Sequence, residues 1–534
     1  MKRLTFALSL TLVSGTLLVA VQAASAANLC VGGPGCYSTL QAAVNAAHDG
    51  DTITIAPGTY AGGVTVDVSV TIVGAGAGQT VVRGGGPVLT IGVYGASSEP
   101  TVSIDGVTIT GGVTRSSPES TPFVGQEGVF AVGGGVEIPP NADFTGGATV
   151  TITNSVIAGN RVAPTHTLPF GPPCPSGPCP FALAAGGGID SWGTVTLDGT
   201  TISNNRVGTA SGLSNVASDA DSGAIQNWLN TPLTISNSVI SGNQASASAP
   251  NGRSADSGAI LLENGSLTMS GSSVMNNSAT LNAAMPNSVD TLAVAGGIHL
   301  SDRTSGGSIR NTTVSGNAVT MTNTAGDANA FTGGLQNQSN TGLELSNDVI
   351  TNNRVIVAAL GHSGGNAAGD SGAGEWGGTV TNTRVTGNSV SASSVAGDAD
   401  ADAGATVFAG SITDSVVSDN HVQASSPHGT AIDRGGAIVA ANTTTLRNTT
   451  VSGNTASASG RMGFARGGGI FDVNESPNGP SGGPLTLINS SVTGNALSGS
   501  SAITLQGGGI YATYPVSLTN SVIADNIPDQ CFGC

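Results

Sequence analysis

The residues best equipped for chemistry are aspartates that return at one position of a repeated phrase. Asp221 and Asp256 each stand four residues before an isoleucine in Asp-Ser-Gly-Ala-Ile, and Asp370 and Asp402 occupy the matching place further along. If successive copies stack as parallel strands about 4.8 Å apart, each pair becomes a pair of neighbours. Carboxylates that close repel unless one is protonated or a cation lies between them. A calcium ion bridging Asp221 to Asp256, or Asp370 to Asp402, is one expectation; solvated corners that tolerate the repulsion are the other. Asp398-Ala-Asp-Ala-Asp402 is not an EF-hand, because Gly404 is misplaced and Ala409 stands where the bidentate glutamate belongs.

A second set lies one and three residues after the apolar residue that closes each phrase. Strand alternation points these side chains outward: Glu137, Asp190 with Trp192, Gln226 with Trp228, Glu263, His299, Gln336 and Glu375. Aromatic faces flanked by acids and amides suit sugar rings, whose apolar faces stack while their hydroxyls find acceptors. Trp192, Trp228, Gln226, Glu263 and His299 are therefore the candidate ligand contacts. If glycosidic bonds are cleaved, Asp190, Glu137 and Asp221 are the acid/base candidates, two of which need different environments. The alternative is that Trp192 and Trp228 pack beneath the long loop 162–185, which carries Cys174 and Cys179.

The elements that must position these groups follow from an internal repeat. An asparagine closes the same phrase at 160, 205, 243, 277, 317, 353, 388, 420, 454, 495 and 526, on average about 37 residues apart. Three residues earlier stands Ile or Val in every copy. Six residues earlier stands, in most copies, another Asn or an Asp, from Asn154 to Asn520. Each repeat opens with a Gly-rich phrase ending in an apolar residue, such as Ile189, Ile225, Ile260 or Ile470, and holds a second short strand such as Thr-Val-Thr-Leu.

Three short strands, followed by a variable Ala/Ser-rich loop, account for the length of a repeat. Strands this short bury apolar positions only by stacking on equivalent strands of the next coil. The expected fold is all-β, a right-handed parallel β-helix, and the stacked asparagines become ladders whose amides donate to one coil and accept from the other.

Composition agrees. Of 534 residues 81 are glycine and 9% are charged, with a net charge of −17 that becomes −19 without Lys2 and Arg3; Lys2 is the only lysine. Such a chain lacks the basic surface that nucleic acid or anionic lipid requires. Lys2 and Arg3, the apolar run Leu4 to Val21 and Ala24-Ser25-Ala26 form a signal-peptide pattern over 1–26, so export and a secreted or cell-surface location are expected. Six cysteines in three close pairs, Cys30 with Cys36, Cys174 with Cys179 and Cys531 with Cys534, fit disulfides in an oxidising compartment.

Ser38 to Ala47 reads as a short helix, N-capped by Ser38 with Gln41 completing a capping box, that covers the first coil. The expected organisation is a cap and irregular coils over 27–100, regular coils over 101–526 and a tail over 527–534. Tyr37 to Tyr60 resembles the opening of the pectin-lyase-like β-helix superfamily, and the GGGI and SxxxGN phrases are similar to repeats of polymorphic outer-membrane-type surface β-helix proteins.

That resemblance implies the fold over nearly the whole mature chain and leaves activity open, because the superfamily holds lyases, hydrolases, epimerases and adhesins. The Asn-Thr-Asp triplet, Asp-Asp pair and RxK motif that it implies for polygalacturonases are absent, and the basic residue it implies for pectate lyases could only be arginine, a poor proton acceptor. Gly361–Gly365 and Gly369–Ala373 match serine-hydrolase phrases but read as an inter-coil loop and as one more copy of the repeat. The sequence thus favours a monomeric, adhesin-like protein that binds a glycan or partner without turnover; a polysaccharide lyase or glycosidase acting on the Asp190, Trp192 and Trp228 face is the alternative.

Overall fold

The structure is a computed structural model that describes residues 26–97, 99–116, 128–164, 181–208, 217–229, 231–248, 252–285, 291–339, 341–361, 364–472 and 482–534. Its strands pair in parallel in three long sheets, making a parallel β-helix. One coil runs through Ile189–Ser191 and Thr194–Asp198 in the first sheet, Thr201–Ser203 in the second, and Arg206–Gly208 and Ala217–Asp221 in the third. The second sheet takes one strand per coil and has fourteen among the described residues, so the stack they form is roughly 65 Å long at the parallel-strand spacing.

Residues with identical demands form columns. Ile157, Ile202, Ile240 and Val274 follow one another in register, all 1% exposed or less, within the main core. Beside them the closing asparagines make the expected ladder. Asn205 donates through Nδ2 to Asn243 Oδ1 at 3.0 Å and to the Ile157 carbonyl at 2.9 Å, while its own Oδ1 accepts from the backbone and side-chain nitrogens of Asn160. The same links continue coil by coil to Asn526, which donates to Gln530 Oε1 at 3.0 Å and so ends the ladder on a fresh acceptor.

The residue before each closing asparagine, whether Gly159, Asn204, Gly316, Asp419 or Asp525, has positive φ, which is why Gly, Asn and Asp alternate there. Glycine is required differently in the opening phrase. A Cβ on Gly187, Gly223 or Gly258 would come within 2.1–2.4 Å of a carbonyl oxygen in the next coil, so successive corners can approach only without one.

A second polar column escapes a reading of the repeat phrase alone. Ser155, Thr200, Ser238, Ser272, Thr312, Thr383, Ser415, Thr449 and Ser490 are all buried; backbone amides of the preceding coil donate to the hydroxyls of Ser155, Ser238, Ser272, Thr312, Thr383, Ser415 and Ser490, as Ser238 N does to Ser272 Oγ at 3.1 Å, while those of Thr200 and Thr449 donate to the carbonyls of Ile152 and Ile412. Asp348 occupies this column instead of a hydroxyl, accepting from Thr312 N and Ser346 N at 2.8 Å each. Burial pushes its carboxyl up to about 7 against those two bonds. The unfolded chain ionises near 3.9, so the wild type loses stability as pH rises from there to about 7. Asp348→Thr should therefore raise the thermal midpoint at pH 8 relative to wild type and lose that advantage at pH 3.5, by calorimetry.

The Ala/Ser-rich segments are not loops. Gln244–Ser248 leaves the Asn corner and Gly252–Ser257 returns, and outgoing and returning strands bury a second core of Ala, Val, Leu and Met, including Ala247, Ala255, Leu281, Met321 and Val357, separate from the main one. Alternation places alanine inward and serine outward, and alanine's small volume lets the two layers close. The result is a thin wing along the rod; in two coils it is a single strand, His421–Arg434 and Thr455–Arg466.

The cap helix is Leu40–Val44, burying Leu40, Ala43 and Val44. Its N-cap is Thr39, not Ser38, with Thr39 Oγ1 accepting from Ala42 N at 3.2 Å. Gln41 makes no capping box. It pairs with Thr65 N and O, tying the helix to the next coil. Cys30 bonds Cys36 and Cys531 bonds Cys534; Cys174 and Cys179 lie outside the described residues, as does the segment 1–25 that carries most of the signal pattern.

Candidate functional site

The returning layer of the wing meets the first sheet in a crease that runs along the rod. On the wing side the column is Val132, Ala185, Asp221, Asp256, Val294, Phe331, Asp370, Asp402, Arg434 and Arg466, in the register the sequence implies. Across from it, Glu137, Asp190, Gln226, Leu261, His299 and Gln336 pair in order along the first sheet. The two candidate sets are therefore one site.

The second set points away from the main core, as alternation requires, yet it is not open to solvent. Asp190 and Gln226 are fully buried, Glu137 is 4% exposed and His299 5%, because the wing stands over them. The expectation of two exposed tryptophan faces is also corrected. Trp192 is 8% exposed, stacked on Trp228 with centroids 5.8 Å apart and edge-on to Phe144 at 5.9 Å. Half-buried Trp228 packs on Phe130, Val132, Leu183 and Ala185 and donates through Nε1 to Asp190 Oδ1 at 2.9 Å. Tyr94 continues the row beyond Phe144, 5.9 Å away. Tyr94 and Phe144 carry no signal in the repeat because they sit in connections between strands, Tyr94 after Leu89–Ile91 and Phe144 after Val136–Ile138, out of phase with the repeated phrases.

Electrostatics divides the crease into two acidic stretches. In the first, burial pushes the Asp221 carboxyl well above the usual range, and the neighbouring charges of Asp256, Asp219, Glu263 and Asp190 push it further. Asp219 is also raised, chiefly by burial, with Ser254 and Arg253 opposing. Asp256 accepts from or donates to His299 Nδ1 at 2.6 Å according to proton position, and His299 Nε2 lies 3.2 Å from Gln338 Oε1. Burial alone would lower the imidazole; Asp256 and these two bonds carry it above its usual value.

In the second stretch Arg434 grips both Asp400 and Asp402, with four N–O distances of 2.8 to 3.0 Å. Burial and then Asp402 raise Asp400 to about 7 in spite of that arginine. Repulsion in the paired-aspartate column thus shows as a raised carboxyl at Asp221 and is relieved by His299 at Asp256 and by Arg434 at Asp402. Among the described residues no group of three or more His, Cys, Asp and Glu side chains is placed to hold a metal ion.

The serine-hydrolase phrase at Asp370-Ser371 is structural. Ser371 is fully buried and its hydroxyl lies 2.6 Å from the Gly374 carbonyl and 2.8 Å from that of Ala405, as Ser257 does with Ile260 and Gly297. His362 and Ser363 of the other phrase lie outside the described residues. A second aromatic row, Phe471, Tyr511 and Phe532, closes the far end of the crease at centroid spacings of 5.5 and 5.0 Å, with the Arg466 guanidinium over Tyr511. Its signal in the sequence is an aromatic residue one position after the apolar anchor in successive phrases.

No protein-family model and no curated protein sequence matches the chain. Among solved structures it is similar to the A-module of a mannuronan C-5 epimerase from Azotobacter vinelandii, at 15% identity over 90% of this chain and 93% of that one, with a TM-score of 0.29. It is also similar to an alginate lyase from Paenibacillus, at 15% identity over 60% and 97% and a TM-score of 0.18. A third is the receptor-binding protein of bacteriophage Det7, a tailspike, at 12% identity over 91% and 75% and a TM-score of 0.23. The fold of the chain is established by its own parallel ladders.

Proposed function

We propose that this protein is an exported glycan-binding β-helix that holds a polysaccharide along the crease between wing and first sheet without turning it over. The observation that carries the reading is the contrast in access within one site. Asp190, Glu137 and His299, the groups with the means to move protons, are at most 5% exposed, and Asp190 and His299 are bonded to their neighbours. A general acid or base must reach the atom it serves. The groups left open to a ligand are side chains that bind: the edge of Trp228, the half-buried carboxylates Asp221, Asp256 and Glu263, and exposed Phe144. Export is supported by the signal pattern of residues 1–26 and by the Cys30–Cys36 disulfide.

The test is retention on immobilised neutral and charged polysaccharides, read together with the appearance of new reducing or unsaturated ends. Retention without new ends is expected. Trp228→Ala should weaken retention about tenfold, the worth of one aromatic contact, whereas Trp228→Phe, which keeps the packing, should lose less. Chain cleavage that vanishes in Asp221→Asn would replace this reading by the lyase or glycosidase alternative.

A further inference from the structure

Phe144 carries two costs at one position. It is 41% exposed, and its φ is +53°. Every other non-glycine residue of positive φ among the described residues is Asn, Asp, Ser or Ala, types small or polar enough to sit in the left-handed region. A bulky aromatic residue is strained there, and strain of this kind gathers at active sites and ligand clamps. Covering the edge of Trp192 requires neither the exposure nor the positive φ.

The surroundings hold the strained residue in place. Asn141 closes the connection that carries it: its backbone amide donates to the Gly146 carbonyl at 2.8 Å, its carbonyl accepts from Phe144 N at 3.2 Å, and its Oδ1 accepts from Thr145 N at 2.9 Å. This connection is fastened to the corresponding one of the preceding coil. Ala142 N donates to the Ala96 carbonyl at 3.0 Å, Gly95 N to that of Pro140 at 2.9 Å, and Asn141 Nδ2 to Glu99 Oε1.

The ring so displayed is the second in a row over four successive coils, Tyr94, Phe144, Trp192 and Trp228, with neighbouring centroids 5.9, 5.9 and 5.8 Å apart. Two coil steps, about 10 Å at the parallel-strand spacing, separate it from Trp228. Trp192 between them is 8% exposed, so Phe144 is the next ring that a ligand on Trp228 can reach. The two connections also expose Val93, Glu99, Asp143 and Thr145, and neither 92–100 nor 139–148 holds a Lys, Arg or His.

We infer that Phe144 is a second sugar seat, on which a pyranose of the bound glycan lays its apolar face, and that the sugar seated there is uncharged. The inference rests on the glycan-binding reading above and adds to it a subsite and the charge of its occupant. The C–H face of a pyranose stacks on an aromatic ring while the hydroxyls at its edge find polar groups beside it, and a hydroxyl that donates to a carboxylate such as Glu99 makes a charge-assisted bond. A uronate would bring its own carboxylate to Glu99 and Asp143 with no cation between them. Two seats on one polymer reinforce each other by raising the effective concentration at the second.

The experiment measures the affinity of the full-length chain for soluble neutral glucan, galactan and mannan and for polygalacturonate, beside the thermal midpoint of each variant. The wild type should bind a neutral polymer more tightly than polygalacturonate. Phe144→Asn, which suits the φ and removes the ring, should weaken that binding about tenfold, the worth of one aromatic contact, and shift the midpoint by less than about 2 °C. Phe144→Leu, which keeps apolar cover over Trp192 and lacks a flat face, should weaken binding as much, and Phe144→Tyr should retain it. Unchanged affinity in Phe144→Asn and Phe144→Leu, with Trp228→Ala still weakening retention, would overturn the seat and leave the glycan reading standing. Affinity kept by Phe144→Leu, and lost in Phe144→Asn only together with a fall in the midpoint, would make Phe144 a packing residue and overturn the seat as well. Tighter binding of polygalacturonate would overturn the uncharged occupant. Binding of no polysaccharide would remove the seat and the glycan reading together.

Discussion

Asn317→Ala in the middle of the rod should lower the free energy of unfolding by about 3–6 kcal/mol, whereas Asn382→Gly, an outer corner of the next coil but one, should change it by less than 1 kcal/mol. Both replace an asparagine of the same repeat, and the difference lies in what each side chain satisfies. Asn317 donates through Nδ2 to the Val274 carbonyl and to Asn353 Oδ1, each at 2.9 Å, and its Oδ1 accepts from the backbone and side chain of Asn277 at 3.0 and 2.9 Å. It is fully buried, so truncation strands a carbonyl, a backbone amide and two carboxamides between coils, each at about 1–3 kcal/mol with partial relief from relaxation. Asn382 is exposed, has φ +48°, and donates one bond to Asn347. Glycine adopts that φ without strain, which offsets the lost bond. Denaturant titration followed by circular dichroism reads both. A cost below 1 kcal/mol for Asn317→Ala would mean that the ladder contributes only register.

Why the ladder was legible and the site was not follows from what a repeat encodes. Ile157, Ile202 and Ile240 meet the same neighbours above and below, so stacking imposes one demand on every copy and the periodicity is its imprint. The same holds for the wing-side column from Val132 to Gln506, whose register is as the phrases imply. Alternation along a strand correctly placed Asp190, Gln226 and His299 outside the main core. It says nothing about what stands opposite, and what stands opposite is the wing.

The wing was missed because its material looks like linker. Ala and Ser are weak strand formers, and the segments vary in length, so Gln244–Ser248 carries little of the usual strand signal. The alternation Gln-Ala-Ser-Ala-Ser is nonetheless a strand period, with Ala245 and Ala247 fully buried. Once the wing exists, Trp192 loses its exposed face and the acids of the crease lose solvent, which raises the carboxyls of Asp219, Asp221, Asp400 and Asp402 above the range of surface carboxylates. A single residue can also break a column without leaving a trace in the motif, as Asp348 does among hydroxyls.

Asp433 breaks a column in the least favourable place, and Asp433→Ala should stabilise the protein at neutral pH by about 1–3 kcal/mol, the cost of an unpaired buried polar group. The residue sits between Ala401 and Ala465 in register, inside the Ala-lined core of the wing, fully buried and with no hydrogen bond to either carboxyl oxygen. Burial drives its carboxyl well above the usual range and the charges of Asp402 and Asp400 add to this; the backbone amides of Ser457 and Ala424 face it without reaching hydrogen-bond geometry and only partly oppose the shift. The folded chain therefore keeps the Asp433 proton to higher pH than the unfolded chain, which ionises near 3.9. Because the unfolded state binds fewer protons above that value, wild-type stability falls as pH rises from about 4 toward the raised folded value. The advantage of Asp433→Ala should accordingly be largest at pH 7–8 and shrink at pH 3.5, where only the unpaired neutral carboxyl remains to be relieved. Asp433→Asn separates the two contributions, because it removes the ionisation and keeps an unpaired polar group: it should remove the pH dependence and recover less of the stability. Unfolding midpoints of the three proteins across pH 3.5 to 8 provide the measurement. A loss of stability in Asp433→Ala at pH 7 would show that the carboxyl holds the two layers of the wing together, and the alanine columns on either side would then need another account of how the layers close.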